Sequence, residues 1–148
     1  MNNPKKEAIN TILERLEAEM KDLQAYQESQ LKAAHKETIA DNRQENREEE
    51  MVRRMSRKAD SIDDLADNIE SLRALDGEDE ASVVDYGALV ETNHGLYLVC
   101  AASPMMEMDG KSLIGISTDS PFYKEMHEKV QGDSFTVNEM DHEILHVW

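Results

Sequence analysis

Two long segments of this chain carry apolar residues at spacings of three and four, which is the pattern of a coiled-coil seam. In the first segment these residues are Ile9, Ile12, Leu13, Leu16, Met20 and Leu23, and in the second they are Met51, Met55, Ala59, Ile62, Leu65, Ile69 and Leu72. The seam becomes more polar towards residue 43, where an intramolecular hairpin needs its turn. The pattern predicts an antiparallel helical hairpin over residues 1–77, and a parallel dimer of one long helix is the alternative.

An acidic linker over residues 78–85 separates the hairpin from a region with a different period. The predicted elements of that region are a β-hairpin around Asn93-His94-Gly95, strands over 113–116, 135–137 and 144–147, and a helix capped by Asp119 or Ser120 that runs to about Lys129. Residues 86–148 are therefore expected to form a small antiparallel sheet with one helix. The predicted fold class is α+β.

The net charge of −16 is concentrated in the C-terminal half. Residues 59–86 contain one basic and ten acidic groups, so this half should repel phosphate and not bind nucleic acid directly. Basic residues cluster only at 43–58, as Arg43, Arg47, Arg53, Arg54, Arg57 and Lys58. No apolar run approaches the roughly 20 residues of a membrane span, and the N-terminus lacks the apolar stretch of a secretory signal. The expectation is a soluble cytoplasmic protein.

The segment from His142 to His146 matches the H-E-x-x-H pattern, in which two histidines on one helical turn bind zinc. Here the segment is apolar and short, as in a terminal strand, where residues four apart are separated by ~13 Å. We interpret the match as a coincidence.

Three other features have simple structural explanations. Cys100 lies in an apolar strand pattern and is expected to be a buried thiol rather than a nucleophile. Ser120 is explained as a helix cap. Met105, Met106 and Met108 are expected to fill the core or a loop, with an adaptable contact surface as the alternative.

The C-terminal region also contains an ordered series of blocks. They are Ile116-Ser117-Thr118-Asp119-Ser120-Pro121, then residues 129–137, then residues 142–147. Behind a helical hairpin, this series resembles the Gre family of bacterial transcript cleavage factors. The resemblance covers most of the chain in outline and is most specific over residues 112–147. It implies an FKBP-like domain that docks on RNA polymerase. Prolyl isomerase activity is not expected, because the few aromatic residues are needed for the core.

The Gre resemblance also implies that the hairpin tip, near residues 41–46, carries the chemistry. The matching residues are Asp41, Glu45 and Asn46, but three residues separate the aspartate from the glutamate where the family has two, and Ala40 replaces the usual glycine. In the family these carboxylates help the polymerase to hold a second magnesium ion. The chain itself would hold no cofactor and would not be an enzyme. The alternative is that Asp41 and Glu45 are an ordinary solvated pair on a charged helix.

The function that the resemblance implies is binding to bacterial RNA polymerase through its secondary channel, with stimulated cleavage of backtracked RNA. The tip would then contact nascent RNA, and the protein would act as a monomer. One alternative is a channel-binding inhibitor that does not stimulate cleavage. A second is an acidic coiled-coil adaptor unrelated to polymerase.

Overall fold

The computed structural model of the protein describes residues 4–37 and 61–148. The first helix, α1, covers Lys5–Glu37, and residues 61–74 are also helical and are called α2 here. The chain divides into two compact units, one of Met1–Arg15 with Asn68–Trp148 and one of Leu16–Asp67. Among the described helices, none combines the length and the apolar character that crossing a membrane requires. The predicted domain boundaries at residues 77 and 86 stay a prediction.

In the first unit, the start of α1 lies beside the segment that follows α2. The Lys5 ammonium donates to the backbone oxygen of Asp79 over 2.9 Å. A Cβ on Gly77 would lie 2.8 Å from the Cβ of Lys6. The beginning of α1 thus contacts residues 77–79, which follow α2 in the chain. Burial is the main reason that the pKa of Lys5 is lowered, against the opposing effect of Asp79 and Asp76.

The apolar positions at the base of the predicted seam are buried. They are Ile9, Ile12, Ile69 and Leu72 in the first unit and Leu16 and Leu65 in the second. Farther along α1, Tyr26 and Leu31 are exposed, so burial decreases outward as the seam becomes polar. The predicted turn lies outside the described residues.

Leu65→Asp is expected to melt the second unit, because it places an unpaired charge at a position that is only 8% exposed. We expect a loss of about 3 kcal/mol in the free energy of unfolding, measured by urea denaturation followed by circular dichroism. Ala66→Asp is the matched control, since Ala66 is exposed on the same helix. Equal destabilisation by the two variants would contradict the buried position of Leu65.

The rest of the first unit is a sheet with one short helix. The strands are β1 (Leu89–Thr92), β2 (Gly95–Val99), β3 (Met106–Met108), β4 (Lys111–Ile116), β5 (Ser134–Val137) and β6 (Met140–Val147), and helix α3 covers Pro121–Met126. Their order across the sheet is β3-β4-β2-β1-β6-β5. The predicted α+β class is confirmed.

The sheet differs from the prediction in three details. It is mixed rather than wholly antiparallel, because the connection through β3 brings β4 back parallel to β2. Strand β3 was not predicted. It contains Met106 and the buried Met108, which were expected to fill the core or a loop. Helix α3 ends at Met126 rather than near Lys129, because His127 has extended backbone and Glu128 has φ of 65°.

Apolar side chains cover both faces of the sheet. The face that α3 covers contains a cluster of ten buried residues: Val84, Ala88, Val90, Val99, Ile116, Tyr123, Met126, Phe135, Ile144 and Val147. Leu89, Leu96, Leu98 and Leu113 are buried on the opposite face, as the ladder registers place them. Because both faces are buried, the central strands read as apolar runs rather than as a strict alternation.

Candidate functional site

The three residues predicted to form the hairpin tip, Asp41, Glu45 and Asn46, lie outside the described residues. Their assigned chemistry and the shared magnesium site therefore stay predictions. The described residues include all of the C-terminal blocks, and the structure shows how these blocks are placed.

The block that ends in Asp119-Ser120-Pro121 makes the connection from β4 to α3. Ser120 is the helix cap, with its hydroxyl oxygen accepting from the Phe122 backbone N–H over 3.2 Å. Pro121 occupies the first turn, where its missing N–H costs nothing. The predicted capping role of Ser120 is confirmed.

The two histidines of the H-E-x-x-H match lie on strand β6 and have different surroundings. His142 is 4% exposed and packs among aromatic rings, whereas His146 contacts the Trp148 ring with centroids 4.2 Å apart. Within residues 4–37 and 61–148, no cluster of three or more His, Cys, Asp or Glu side chains could hold a metal ion. The predicted terminal strand is confirmed, because both histidines lie on β6 and not on one helical turn.

Cys100 is half-buried and directly follows β2, and its sulfur lies 3.4 Å from the Tyr86 hydroxyl. Burial raises the pKa of the thiol, with the Tyr86 hydrogen bond opposing that effect. A raised pKa favours the protonated thiol, which agrees with the expected structural role, but the side chain is half-buried rather than buried as predicted.

A cluster of aromatic rings surrounds His142 on the face of the sheet that α3 covers. Phe135 of β5 stacks on the imidazole at 4.9 Å with an angle of 4° between the planes. Phe122 of α3 meets it edge-on at 5.1 Å, and Tyr97 of β2 does so at 6.2 Å. Phe122 also stacks on Tyr97 at 4.5 Å. These rings pack against one another, as expected for a domain whose aromatic residues build its core.

A second histidine completes this cluster. His94, in the turn between β1 and β2, lies 4.5 Å from the His142 ring and forms a 2.9 Å hydrogen bond between its Nε2 and the backbone oxygen of Asp141. The same turn is tied to β6 by Asn93, whose side-chain oxygen accepts from the Glu143 N–H. The turn and strand β6 are thus joined beside the imidazole pair.

Burial is the main cause of a lowered pKa at His142. His94 lowers this pKa further by repulsion, and Asp141 opposes the shift. Among the described residues, no atom forms a hydrogen bond with the buried Nδ1 of His142. Neutral imidazole tolerates a bare acceptor nitrogen, whereas imidazolium would carry an N–H donor there with no acceptor.

The histidine pair was missed in the sequence, although a signal was present. His142 and Ile144 are two residues apart on a predicted strand, so both must point to the same face. Since Ile144 belongs in the core, His142 belongs there too.

A separate groove of about 910 Å³ lies in the first unit, between the start of α1, residues 77–80 and the β3–β4 turn. Its lining includes Glu7, Glu14, Glu78, Glu80 and Asp109, with Lys6 as a basic member. This acidic lining should repel phosphate groups, as the charge distribution of the sequence predicts.

Comparison with known proteins gave matches among solved structures only. No family model matches the chain, and no curated protein matches it. The chain is similar to a structure of the transcription factor Gfh1, at 16% identity and a TM-score of 0.36, with 92% of each chain covered. Gfh1 of Thermus thermophilus, a GreA factor homolog, has 15% identity and a TM-score of 0.35, with 92% of this chain and 94% of that chain covered. Gfh1 of Thermus aquaticus has 15% identity and a TM-score of 0.33, covering 93% and 94%.

Proposed function

We propose that this protein is a Gre-like factor that binds RNA polymerase through its secondary channel and stimulates cleavage of backtracked RNA. One observation carries the proposal. The blocks behind the sequence resemblance occupy consecutive elements, from the end of β4 through α3 and β5 to β6, in a sheet region that follows two helical segments. Each block therefore contains or adjoins a regular element of the sheet region.

The charge distribution supports a protein partner. The sheet region is acidic, and the lining of the groove beside it contains five carboxylates and one lysine, so this part of the chain should be repelled by an RNA or DNA backbone. Docking on a protein surface avoids this repulsion by a phosphate backbone. We assign the grip on polymerase to the sheet region and contact with nascent RNA to the basic stretch around Arg43 and Arg47.

The proposed chemistry belongs to the polymerase. Asp41 and Glu45 would supply carboxylate oxygens to a magnesium ion that the polymerase holds weakly, and Asn46 would hold the tip or a water molecule by hydrogen bonding. Two carboxylates alone bind magnesium poorly, so this ion would be shared and the isolated protein would carry no cofactor. In this scheme the protein acts as a monomer and is not itself an enzyme.

The test is RNA shortening in stalled elongation complexes at limiting magnesium, with and without the protein. We expect the protein to bind polymerase and to accelerate shortening. Binding with slower nucleotide addition and no faster cleavage would favour the inhibitor function instead. The altered tip, with three residues between Asp41 and Glu45, is the feature that favours that second candidate. Absence of binding would overturn both and leave the adaptor function.

A further inference from the structure

We propose that His142 and His94 form an acid-sensitive latch, in which protonation of His142 loosens the β5–β6 hairpin and the β1–β2 turn from the aromatic cluster. The inference concerns the protein alone and does not depend on polymerase binding. His142 contacts rings from three other elements of the sheet region.

The imidazole of His142 holds these elements together. It stacks on Phe135 of β5 and meets Phe122 of α3 and Tyr97 of β2 edge-on. His94 reaches it from the β1–β2 turn. A single side chain therefore contacts four parts of the structure, and a change in its charge acts on all of them at once.

Protonation is unfavourable at this position for geometric reasons. The side chain is 4% exposed, so water cannot solvate a charge on it. Its Nδ1 has no hydrogen-bond partner within the described residues, so a proton there would be left without an acceptor. His94 is close enough, at 4.5 Å between ring centroids, for two imidazolium rings to repel each other strongly.

Two groups act in the opposite direction. Asp141 stabilises a positive charge on His142, but its carboxylate also accepts a 2.7 Å hydrogen bond from the Thr136 hydroxyl. The face of Phe135 attracts a cation. Tyr97 and Phe122 contribute no charge at neutral pH. Burial and His94 outweigh the favourable groups, which agrees with the lowered pKa of His142.

The direction of the pH effect follows from this lowered pKa. The unfolded chain binds a proton at His142 near the ordinary value of 6.5, whereas the folded protein binds it only at lower pH. Acidification through that window therefore favours the unfolded or loosened form. The contribution of His142 to stability is complete above pH 6.5 and declines as the pH falls towards the folded pKa.

The first measurement is an NMR titration of the histidine ring protons in the unmodified protein. We expect His142 to titrate below 6.5, and the backbone signals of β5, β6 and the turn at Asn93 and His94 to change together with it. His94→Gln should raise the pKa of His142 by removing the repelling neighbour. Titration of His142 at or above 6.5 would overturn the proposal, and this result requires no substitution that could prevent folding.

The second measurement is urea unfolding at about pH 7.5 and about pH 5.5, on either side of the ordinary histidine pKa. His142→Phe keeps an aromatic ring in the cluster but cannot be protonated. His146→Gln is the control, because it removes a histidine from the same strand that lies against Trp148 instead. The unfolding constant of the unmodified protein and of His146→Gln should rise several-fold more on acidification than that of His142→Phe. Equal pH dependence in all three proteins would overturn the latch.

Discussion

Gly115→Ala is expected to lower the free energy of unfolding of the sheet region by about 3 kcal/mol, at the upper end of the range for overpacking. Gly115 lies in β4, opposite Leu98 of the parallel strand β2. A Cβ there would collide with the backbone oxygen of Ala101 and lie 3.0 Å from the Ser103 hydroxyl.

The surroundings of Gly115 cannot move aside easily. Its N–H donates to the Ser103 hydroxyl over 2.7 Å, and its backbone oxygen accepts from the Ser103 N–H over 3.0 Å. The adjacent Cys100 N–H donates to the Ile116 backbone oxygen over 2.9 Å. These bonds hold the 101–103 segment against β4, so an added methyl group must break at least one of them or displace the strand.

Urea denaturation followed by circular dichroism measures the effect, with Gly110→Ala as the control. Gly110 has φ of 77° and no atom within 4 Å of an added Cβ, so its substitution costs only backbone strain, about 1 kcal/mol. If the two variants lose the same free energy, the close approach of Ala101 to β4 does not constrain the fold.

The second large effect is expected at the hairpin tip and depends on the proposed function. Asp41→Ala or Glu45→Ala should reduce the stimulated rate of RNA cleavage by about a hundredfold or more. Each variant removes a carboxylate that would hold the magnesium ion, and a bound metal ion stabilises the charge of the transition state by several kcal/mol. Binding to polymerase should change little, since the sheet region is assigned the grip. RNA shortening in stalled elongation complexes and co-sedimentation with polymerase measure the two quantities separately.

Glu48→Ala is the matched control for the tip, because it removes a nearby carboxylate that has no counterpart in the Gre resemblance. We expect near-normal cleavage from this variant. Equal losses for Glu48→Ala and Asp41→Ala would point to the charge of the whole stretch rather than to a metal site. Loss of polymerase binding with either tip variant would show that the grip was assigned to the wrong part of the chain.

Element type was predictable from the sequence wherever a period was clear. The three-four spacing of Ile9, Ile12 and Leu16 identified a buried helical stripe, and the same residues are buried in the structure. The turn at Asn93 and His94 followed from local turn chemistry, since β1 ends at Thr92 and β2 begins at Gly95. The Ser120 cap likewise depends on a hydrogen bond between two residues that are only two positions apart in the chain.

Other features required the tertiary structure, because they depend on contacts between distant residues. The parallel pairing of β2 with β4 results from the path of the chain through β3, which has no strong local signal. The need for glycine at 115 comes from Ala101 and Ser103 rather than from an unusual backbone angle.

The contrast is clearest at the histidines. The sequence predicted a closing strand over residues 144–147 and a strand-like His142–His146 segment, because the segment is short, apolar and unsuited to a zinc-binding helix, and strand β6 contains both. Only the tertiary structure placed His94 beside His142, since residues 48 positions apart meet through strand pairing and not through local geometry. The charge state of a buried ring depends on such neighbours, whereas the type of the element that carries it depends on the residues next to it in the chain.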